Sequence, residues 1–333
     1  MRRAPAHAGS LKPWERLAFT LAFVLMAALV VVVTVSAARA RLHGAQPAGP
    51  AVTGQAGQLS GNTTPGNSPS AGGGSPGEPS GEPVSVAPGR RLAAALAPLL
   101  LHHTGSLAVG VIDRSTGVRA VYGGGRQFAA AGIIKSDILA VLLLESQQAG
   151  TSFSAGELRL AAQLIETKDG AAANLLGQDA GGPGGVALAN AGLGLRHTTP
   201  GQGVPWGLTG TTVGDQLSLL GDLTSARSPL TAASRRYELS LMRKAAARQA
   251  WGVQVAAAQG SSCAVRSGSY AVPSGSLAGQ RLWVVASIGV IRHAGQQLLV
   301  AVLSDGQPTK SAGIAQLEAA AVAAVTEITA RRP

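Results

Sequence analysis

Three short segments of this chain carry side chains that could take part in chemistry, and the first of them surrounds Gly132. In Gly132-Ile-Ile-Lys135 a turn of small residues leads into an apolar run, and the lysine follows the glycine by one helical turn. A serine three residues before such a lysine is a nucleophile whose proton the amine accepts, and this pair can carry out acyl transfer. Glycine stands where that serine is required. The segment therefore leaves open whether the chain performs chemistry here or only binds a ligand.

The second and third segments add charges and a hydroxyl group. They read Lys168-Asp169-Gly170 and Arg266-Ser267-Gly268, and Ser269 follows the third segment directly. Lysine and arginine attract carboxylates, and arginine can hold one through two parallel hydrogen bonds. Ordinary structural roles also fit, since Lys135 alone is typical of a helix lysine and Asp169 of a helix cap.

Ser136 is an alternative nucleophile, because it lies one turn beyond Gly132 on nearly the same helix face. A residue at that depth in an apolar helix is expected to be buried beneath the site. We therefore do not expect Ser136 to replace the missing serine.

The composition allows one or two domains and favours an anionic partner. The chain has 333 residues, of which 46% are hydrophobic, and its formal net charge of +11 gives a sequence pI near 11.0. Aromatic residues make up only 3%, which argues against nucleic-acid binding by base stacking. The lone Cys263 excludes an intramolecular disulfide and a cysteine zinc cluster, and the six histidines lack the His-Glu-x-x-His spacing of zinc proteases. We therefore expect no cofactor, no metal and no nucleic acid.

The N-terminal part of the chain has the pattern of a single-pass membrane anchor. Residues 17–38 carry no charge and are long enough to cross a hydrocarbon core of about 30 Å. Residues 1–16 contain four Lys and Arg side chains against one Glu, so the positive-inside rule predicts a cytosolic tail and an extracytoplasmic C-terminal domain. Ala38-Arg39-Ala40 has the form of a signal-peptidase site, so secretion after cleavage near Ala40 is the alternative.

Two further regions follow the span. Residues 39–89 consist mainly of Gly, Pro, Ser, Thr and Ala, and such a segment cannot bury enough apolar surface to offset its ordering entropy. This composition predicts a disordered, flexible linker. Residues 90–333 have the composition of a folded domain.

The pattern of apolar residues in that domain predicts an α+β fold. Helices are indicated at 90–103, 132–148 and 311–330, with a mostly helical region at 154–242. Strands are indicated at 106–113, 118–122, 265–270, 282–293 and 297–305, with a hairpin turn at 293–296. This order predicts an antiparallel sheet packed by the N- and C-terminal helices, with a separate all-helical lobe. A ligand site is expected at the seam between the sheet and that lobe.

Residues 90–333 resemble the penicillin-recognising serine enzymes, in particular the class A β-lactamase-related serine hydrolases and the DD-peptidases. Those proteins carry Ser-x-x-Lys at the head of a buried helix, Ser-Asp-Asn on a loop of the helical lobe and Lys-Thr-Gly on an edge strand. The three segments of this chain occur in the same order and at plausible spacing. The flanking residues agree better than the motifs, as in the stretches 165–176 and 206–215.

The resemblance implies a role for each segment and shows where the chain departs from the family pattern. Gly132 stands at the nucleophile position beside Lys135, and Lys168 replaces the serine that relays a proton to the leaving nitrogen. Gly170 removes the amide that would hold a substrate carbonyl. No Asp or Glu occurs between residues 179 and 215, where class A enzymes carry the deacylating glutamate.

The resemblance also implies which binding features survive. The backbone N–H groups of Gly132 and Ser269 are expected to keep an oxyanion hole, because they need no side chain. Arg266, Ser267 and Gly268 are expected to keep a site for a ligand carboxylate. Lys135, Lys168 and Arg266 would converge on one cleft with Asp169 as counter-charge, and such a cluster attracts an anion.

The function implied is that of a catalytically inactive β-lactamase-like domain that binds a cell-wall-related anionic or peptide ligand. The ligand class is a peptidoglycan-related or β-lactam-like small molecule. The alternative is an active serine hydrolase of the β-lactamase or DD-peptidase type that uses an unrecognised nucleophile.

Overall fold

The structure is a computed structural model that describes residues 87–101, 104–167, 169–274 and 280–330. The predicted cytosolic tail, the predicted membrane span and most of the predicted linker lie outside these residues, as does Lys168. Within the described ranges, no helix combines the length and the apolar character that crossing a membrane requires.

An antiparallel sheet forms the centre of the domain. Its strands are β1 (Ser106–Asp113), β2 (Arg119–Tyr122), β5 (Ala264–Pro273), β6 (Arg281–His293) and β7 (Gln296–Gln307), and a second, two-stranded sheet consists of β3 (Phe128–Ala129) and β4 (Gly210–Thr211). The order in the larger sheet is β2-β1-β7-β6-β5, so β5 is an edge strand. The turn between β6 and β7 has φ of 47° at Ala294 and 76° at Gly295. Positive φ at both turn residues suits the twist of a hairpin.

Eight α-helices accompany the sheets within the described residues. They are α1 (Pro88–Leu101), α2 (Ile134–Gln148), α3 (Ala155–Glu166), α4 (Gly170–Asp179), α5 (Gly182–Gly192), α6 (Val213–Thr224), α7 (Ala232–Arg248) and α8 (Lys310–Thr329). Side chains cap several of them: Ser154 and Glu157 form a reciprocal capping box on α3, and Thr212 and Thr309 cap α6 and α8. These bonds satisfy backbone N–H groups that have no partner inside a helix.

The terminal helices α1 and α8 pack on one face of the sheet. Leu92 of α1 and Leu317 of α8 are fully buried in a hydrophobic cluster that includes Val109 and Val300 of the sheet. The Nε atom of Arg91 donates to the Glu327 carboxylate at 2.6 Å and ties the two helices together. The chain ends of the domain therefore support the sheet from the side opposite the helical lobe.

The helical lobe is built around α2. Every residue of α2 from Ile134 to Leu144 is buried, including Lys135, Ser136 and Asp137. A helix surrounded on all sides has no polar face, which explains the uninterrupted apolar run in its sequence. The core around α2 continues to the inner face of the sheet through Ala286 and Ile288.

The structure confirms the predicted fold class and most element positions. The strand predicted at 106–113 is observed with those bounds, and the hairpin turn lies at 293–296. β5 extends beyond the predicted end at residue 270, because residues 271–273 still pair with β6. The helix predicted to begin at residue 132 begins at Ile134, because Ala131–Ile133 form a 3₁₀ turn.

Candidate functional site

A cavity of about 500 Å³ lies where the predicted segments meet. It is bounded by the starts of α2 and α4, the loop at 205–207, the edge strand β5 and the first residue of α8. Among the residues predicted from sequence, those that line it are Gly132, Lys135, Gly170, Arg266, Ser267, Gly268 and Ser269. The wall also contains residues that the sequence did not single out as site residues: Asn174, Trp206, Tyr270 and Lys310.

The backbone of β5 packs closely against the nucleophile position. A Cβ atom at residue 132 would lie 3.0 Å from the Cα of Gly268, and a Cβ at residue 268 would lie 2.2 Å from the nitrogen of Gly132 and 2.3 Å from its Cα. The backbone of residue 132 therefore requires glycine at residue 268, whereas a side chain at residue 132 would need its neighbour to move by a few tenths of an ångström.

The turn that carries Gly132 is strained. Ala131, a buried residue in the cavity wall, has φ of 49°, in the left-handed region that costs a non-glycine residue about 1–2 kcal/mol. Such outliers persist where the surrounding packing holds them, and they cluster at functional sites. The strained turn therefore lies in the wall of the candidate site.

Arg266 is turned inward and does not present its guanidinium to a ligand in the predicted way. Its side chain is 1% exposed, with Nε donating to the Gly132 carbonyl at 3.1 Å and Nη1 to the Ile165 carbonyl at 2.9 Å. Burial lowers the pKa of this guanidinium to about 10, so it stays charged at neutral pH. Arg266 therefore links β5 to the 3₁₀ turn and to the end of α3, and its Nη2 atom has no partner among the described residues.

Ser267 also uses its side chain for structure. Its hydroxyl is buried and lies 2.8 Å from the hydroxyl of Ser287 on β6. The same hydroxyl lies 3.5 Å from the carbonyl oxygen of Trp251. Only other atoms of Ser267 can therefore meet a ligand.

Lys135 contacts Asp169, the predicted counter-charge, through the backbone carbonyl of Asp169 and not through its carboxylate. Lys135 Nζ donates to the Asp169 carbonyl at 2.9 Å, and the lysine is 8% exposed. The Asp169 carboxylate accepts from the N–H groups of Ala171 and Ala172 at 2.8 and 3.3 Å and so caps α4. Asp169 thus fills the capping role and orients the lysine, while Lys168 lies outside the described residues.

An aromatic wall closes one side of the cavity. The indole of Trp206 packs so closely on α4 that a Cβ at Gly177 would lie 2.3 Å from its ring, and the Tyr270 ring would meet a Cβ at Gly207 at 2.9 Å. The loop at 205–207 therefore bridges the helical lobe and β5 through two glycine–aromatic contacts. Sequence reasoning noted Trp206 only as part of a family-like stretch, since aromatic residues in a loop do not show what they pack against.

The hydroxyl of Ser136 is not available to the cavity. Ser136 is fully buried, and its hydroxyl has no hydrogen-bond partner in the described structure. No acidic side chain lines the cavity among the described residues, and no cluster of three or more His, Cys, Asp or Glu residues there could hold a metal. Among the described residues, the cavity wall thus carries cationic side chains and no carboxylate.

Comparison with known proteins agrees with this geometry at the level of the fold. The sequence matches no family model and no curated protein. The structure is similar to a class A β-lactamase from Bacteroides cellulosilyticus, with a TM-score of 0.63, 13% identity, and coverage of 74% of this chain and 100% of that one. It is also similar to a β-lactamase from Burkholderia vietnamiensis, with a TM-score of 0.61, 21% identity, and coverage of 72% and 96%.

A third similar structure is a variant of PBP-A, solved as an acyl-enzyme complex with penicillin G. Its TM-score is 0.61 at 17% identity, and the match covers 73% of this chain and 97% of that one. At these identities the likeness establishes the fold and not the activity. The chain therefore has the fold shared by the class A β-lactamases and the DD-peptidase-like penicillin-binding proteins.

Proposed function

We propose that this chain is a membrane-anchored, extracytoplasmic β-lactamase-like domain that has lost acyl-transfer chemistry and binds a small anionic or peptide ligand related to the cell wall. The observation that carries this proposal is the contact between Gly132 and Gly268. Residue 132 has no side chain to attack a carbonyl, and a side chain there would be crowded by the Cα of Gly268 at 3.0 Å. Loss of the nucleophilic serine of a serine protease such as subtilisin lowers the rate by about 10⁶, which retained binding contacts do not recover.

The charge of the cavity supports an anionic ligand. Lys135, Lys310 and Arg266 line it, and no Asp or Glu does so among the described residues. The similarity to PBP-A, which was solved with penicillin G, supports a β-lactam-like or peptidoglycan-related molecule as the ligand class. The membrane anchor at 17–38 and the outward orientation of the domain are proposed from the sequence pattern.

Calorimetric titration of the full-length chain in detergent with a peptidoglycan stem peptide tests this proposal. We expect saturable, reversible binding, and we expect Lys135→Gln to weaken it about tenfold or more, because a charge-assisted hydrogen bond is lost. Lys244→Gln is the matched control, since Lys244 is an exposed lysine paired with Glu166 on α3, outside the cavity wall. Heat traces without saturation for stem peptides and other anionic wall fragments would show that the proposal is wrong.

A further inference from the structure

The residues predicted to hold a ligand carboxylate are not the ones best placed to do so, and this inference rests on the proposed function. Two nitrogen atoms of the Arg266 guanidinium donate to backbone carbonyls, and the hydroxyl of Ser267 is hydrogen-bonded to that of Ser287. Among the described cations that line the cavity, Lys310, on the first turn of α8, is the exposed one. A carboxylate that enters the cavity would meet Lys310 before it could reach the guanidinium of Arg266.

Lys310 occupies a position that is unfavourable for a cation. It is exposed, and no hydrogen bond or ion pair is found for it among the described residues. It is the first residue of a 20-residue helix whose first turn contains no acidic side chain. The N-terminus of a helix carries a partial positive charge, so a lysine there is repelled unless an anion lies nearby. Both the ammonium group and the helix end therefore favour a bound anion at the same place.

A second observation points to an anion in this cavity. Arg266 is nine-tenths buried, and its Nη2 atom has no hydrogen-bond partner among the described residues. That atom lies 3.6 Å from the position of a Cβ at Gly132, in the cavity wall. A buried charged donor without a partner is costly, and an anion in the cavity reduces that cost through its field.

The aromatic wall indicates the other part of the ligand. Trp206 and Tyr270 both line the cavity, and each is fixed by packing on a glycine, Trp206 on Gly177 and Tyr270 on Gly207. Rings held in this way offer a flat apolar surface at little cost in conformational entropy. The cavity thus offers cations to an anionic group and a flat apolar wall to a ring or another apolar body.

We propose that Lys310, together with the first turn of α8, anchors the carboxylate of the ligand, while its apolar body packs against Trp206 and Tyr270. Lys310 thus takes the role that the sequence assigned to Arg266 and Ser267. The ligand class is a small carboxylate with a ring or apolar body, for which benzylpenicillin is a suitable probe.

The test compares benzylpenicillin with its uncharged methyl ester by calorimetry on the full-length chain in detergent. The wild-type chain is expected to bind the acid about tenfold more tightly than the ester, because the ester cannot form the charge-assisted contact. Lys310→Gln is expected to weaken binding of the acid about tenfold and to leave binding of the ester unchanged. Lys244→Gln, on α7 and outside the cavity, is expected to change neither affinity.

Two outcomes would overturn the inference, and they are distinguishable. In the first, both compounds bind saturably, but acid and ester bind equally or Lys310→Gln has no effect. Lys310 is then not the anchor, and the proposed binding function stands. In the second, neither compound binds saturably, which overturns the inference. If stem peptides also fail to bind, the proposed function is overturned as well.

Discussion

Replacement of Gly268 by alanine is expected to lower the free energy of unfolding by about 3 kcal/mol, the upper part of the usual range for overpacking. The added Cβ would lie 2.2 Å from the nitrogen of Gly132 and 2.3 Å from its Cα. These are backbone atoms, so no flexible side chain can move aside. Either β5 or the 3₁₀ turn must shift, and Arg266 joins the two through the Gly132 carbonyl. Urea unfolding of the full-length chain in detergent, followed by circular dichroism, measures the change.

Two glycines of the same cavity provide the controls. A Cβ at Gly170 would meet no atom within 4 Å, so Gly170→Ala, in the first turn of α4, is expected to be neutral or to stabilise by about 0.5–1 kcal/mol. The Cβ of Gly132→Ala would lie 3.0 Å from the Cα of Gly268, so its change in unfolding free energy is expected to lie between those of the other two variants. Equal unfolding midpoints for Gly268→Ala and Gly170→Ala would show that the glycine pair is not tightly packed.

Raising the pH from about 4 to 8 is expected to destabilise the domain through acidic residues buried in the helical lobe. Burial raises the pKa of Asp137 to about 7, with a further contribution from the charge of Asp215, although Gln216 donates to one of its oxygens at 3.1 Å. Burial raises the pKa of Glu238 well above its usual value, and the charge of Asp137 raises it further. Neither carboxylate oxygen of Glu238 has a hydrogen-bond partner in the described structure.

The sign of this effect follows from the proton balance. A group whose pKa is higher in the folded than in the unfolded chain binds more protons when folded, so its stabilisation is complete below the unfolded pKa and is lost as the pH rises through the folded pKa. For Asp137 that window runs from 3.8 to about 7. At 1.36 kcal/mol for each pKa unit, the loss amounts to about 4 kcal/mol. Glu238 extends the loss to higher pH.

Urea unfolding at a series of pH values compares the wild-type chain with Asp137→Asn. The variant cannot ionise at residue 137, and its amide oxygen can still accept from Gln216. We expect the wild-type chain to lose more stability between pH 4 and pH 8 than the variant does. Glu238→Gln is the second arm, and it is expected to flatten the curve above pH 7. Parallel curves for all three proteins would show that these carboxyl groups do not titrate with raised pKa values.

The sequence was sufficient for the fold because the apolar patterns that define it are local. The run at 138–144 indicated a buried helix, and the alternating residues of β5 to β7 indicated strands that pair in chain order. The order of helices and strands also predicted a seam between sheet and lobe, and a cavity lies at that seam. Of the eight residues singled out for the site that the structure describes, seven line this cavity.

The directions of individual side chains could not be predicted in the same way. Arg266 and Ser267 have the right chemistry for a carboxylate, yet their donors are used inside the protein. Their partners, the carbonyl of Ile165 and the hydroxyl of Ser287, are distant in sequence, so no local pattern reveals them. Lys310 was missed for the converse reason, because a single lysine near a chain end carries no signal until the fold places it in a cavity wall.

Gly132 provides the clearest example of this difference. In the sequence it is a missing serine, which a single substitution would restore. In the structure it is half of a packed glycine pair, and Arg266 donates to its carbonyl. We therefore expect the serine of Gly132→Ser to be crowded by Gly268, so that the variant does not gain acylation. The described part of the cavity wall also contains no carboxylate for deacylation.

The measurement that tests the loss of acyl-transfer chemistry most directly is the intact mass of the full-length chain after incubation with benzylpenicillin. The wild-type chain and Gly132→Ser are both predicted to keep their unmodified masses, because the first has no nucleophile at residue 132 and the serine of the second would be crowded by the Cα of Gly268. A stoichiometric adduct on the wild-type chain would contradict the loss of catalysis and indicate another nucleophile. An adduct on Gly132→Ser alone would show that the nucleophile position is open, contrary to the packing of the two glycines.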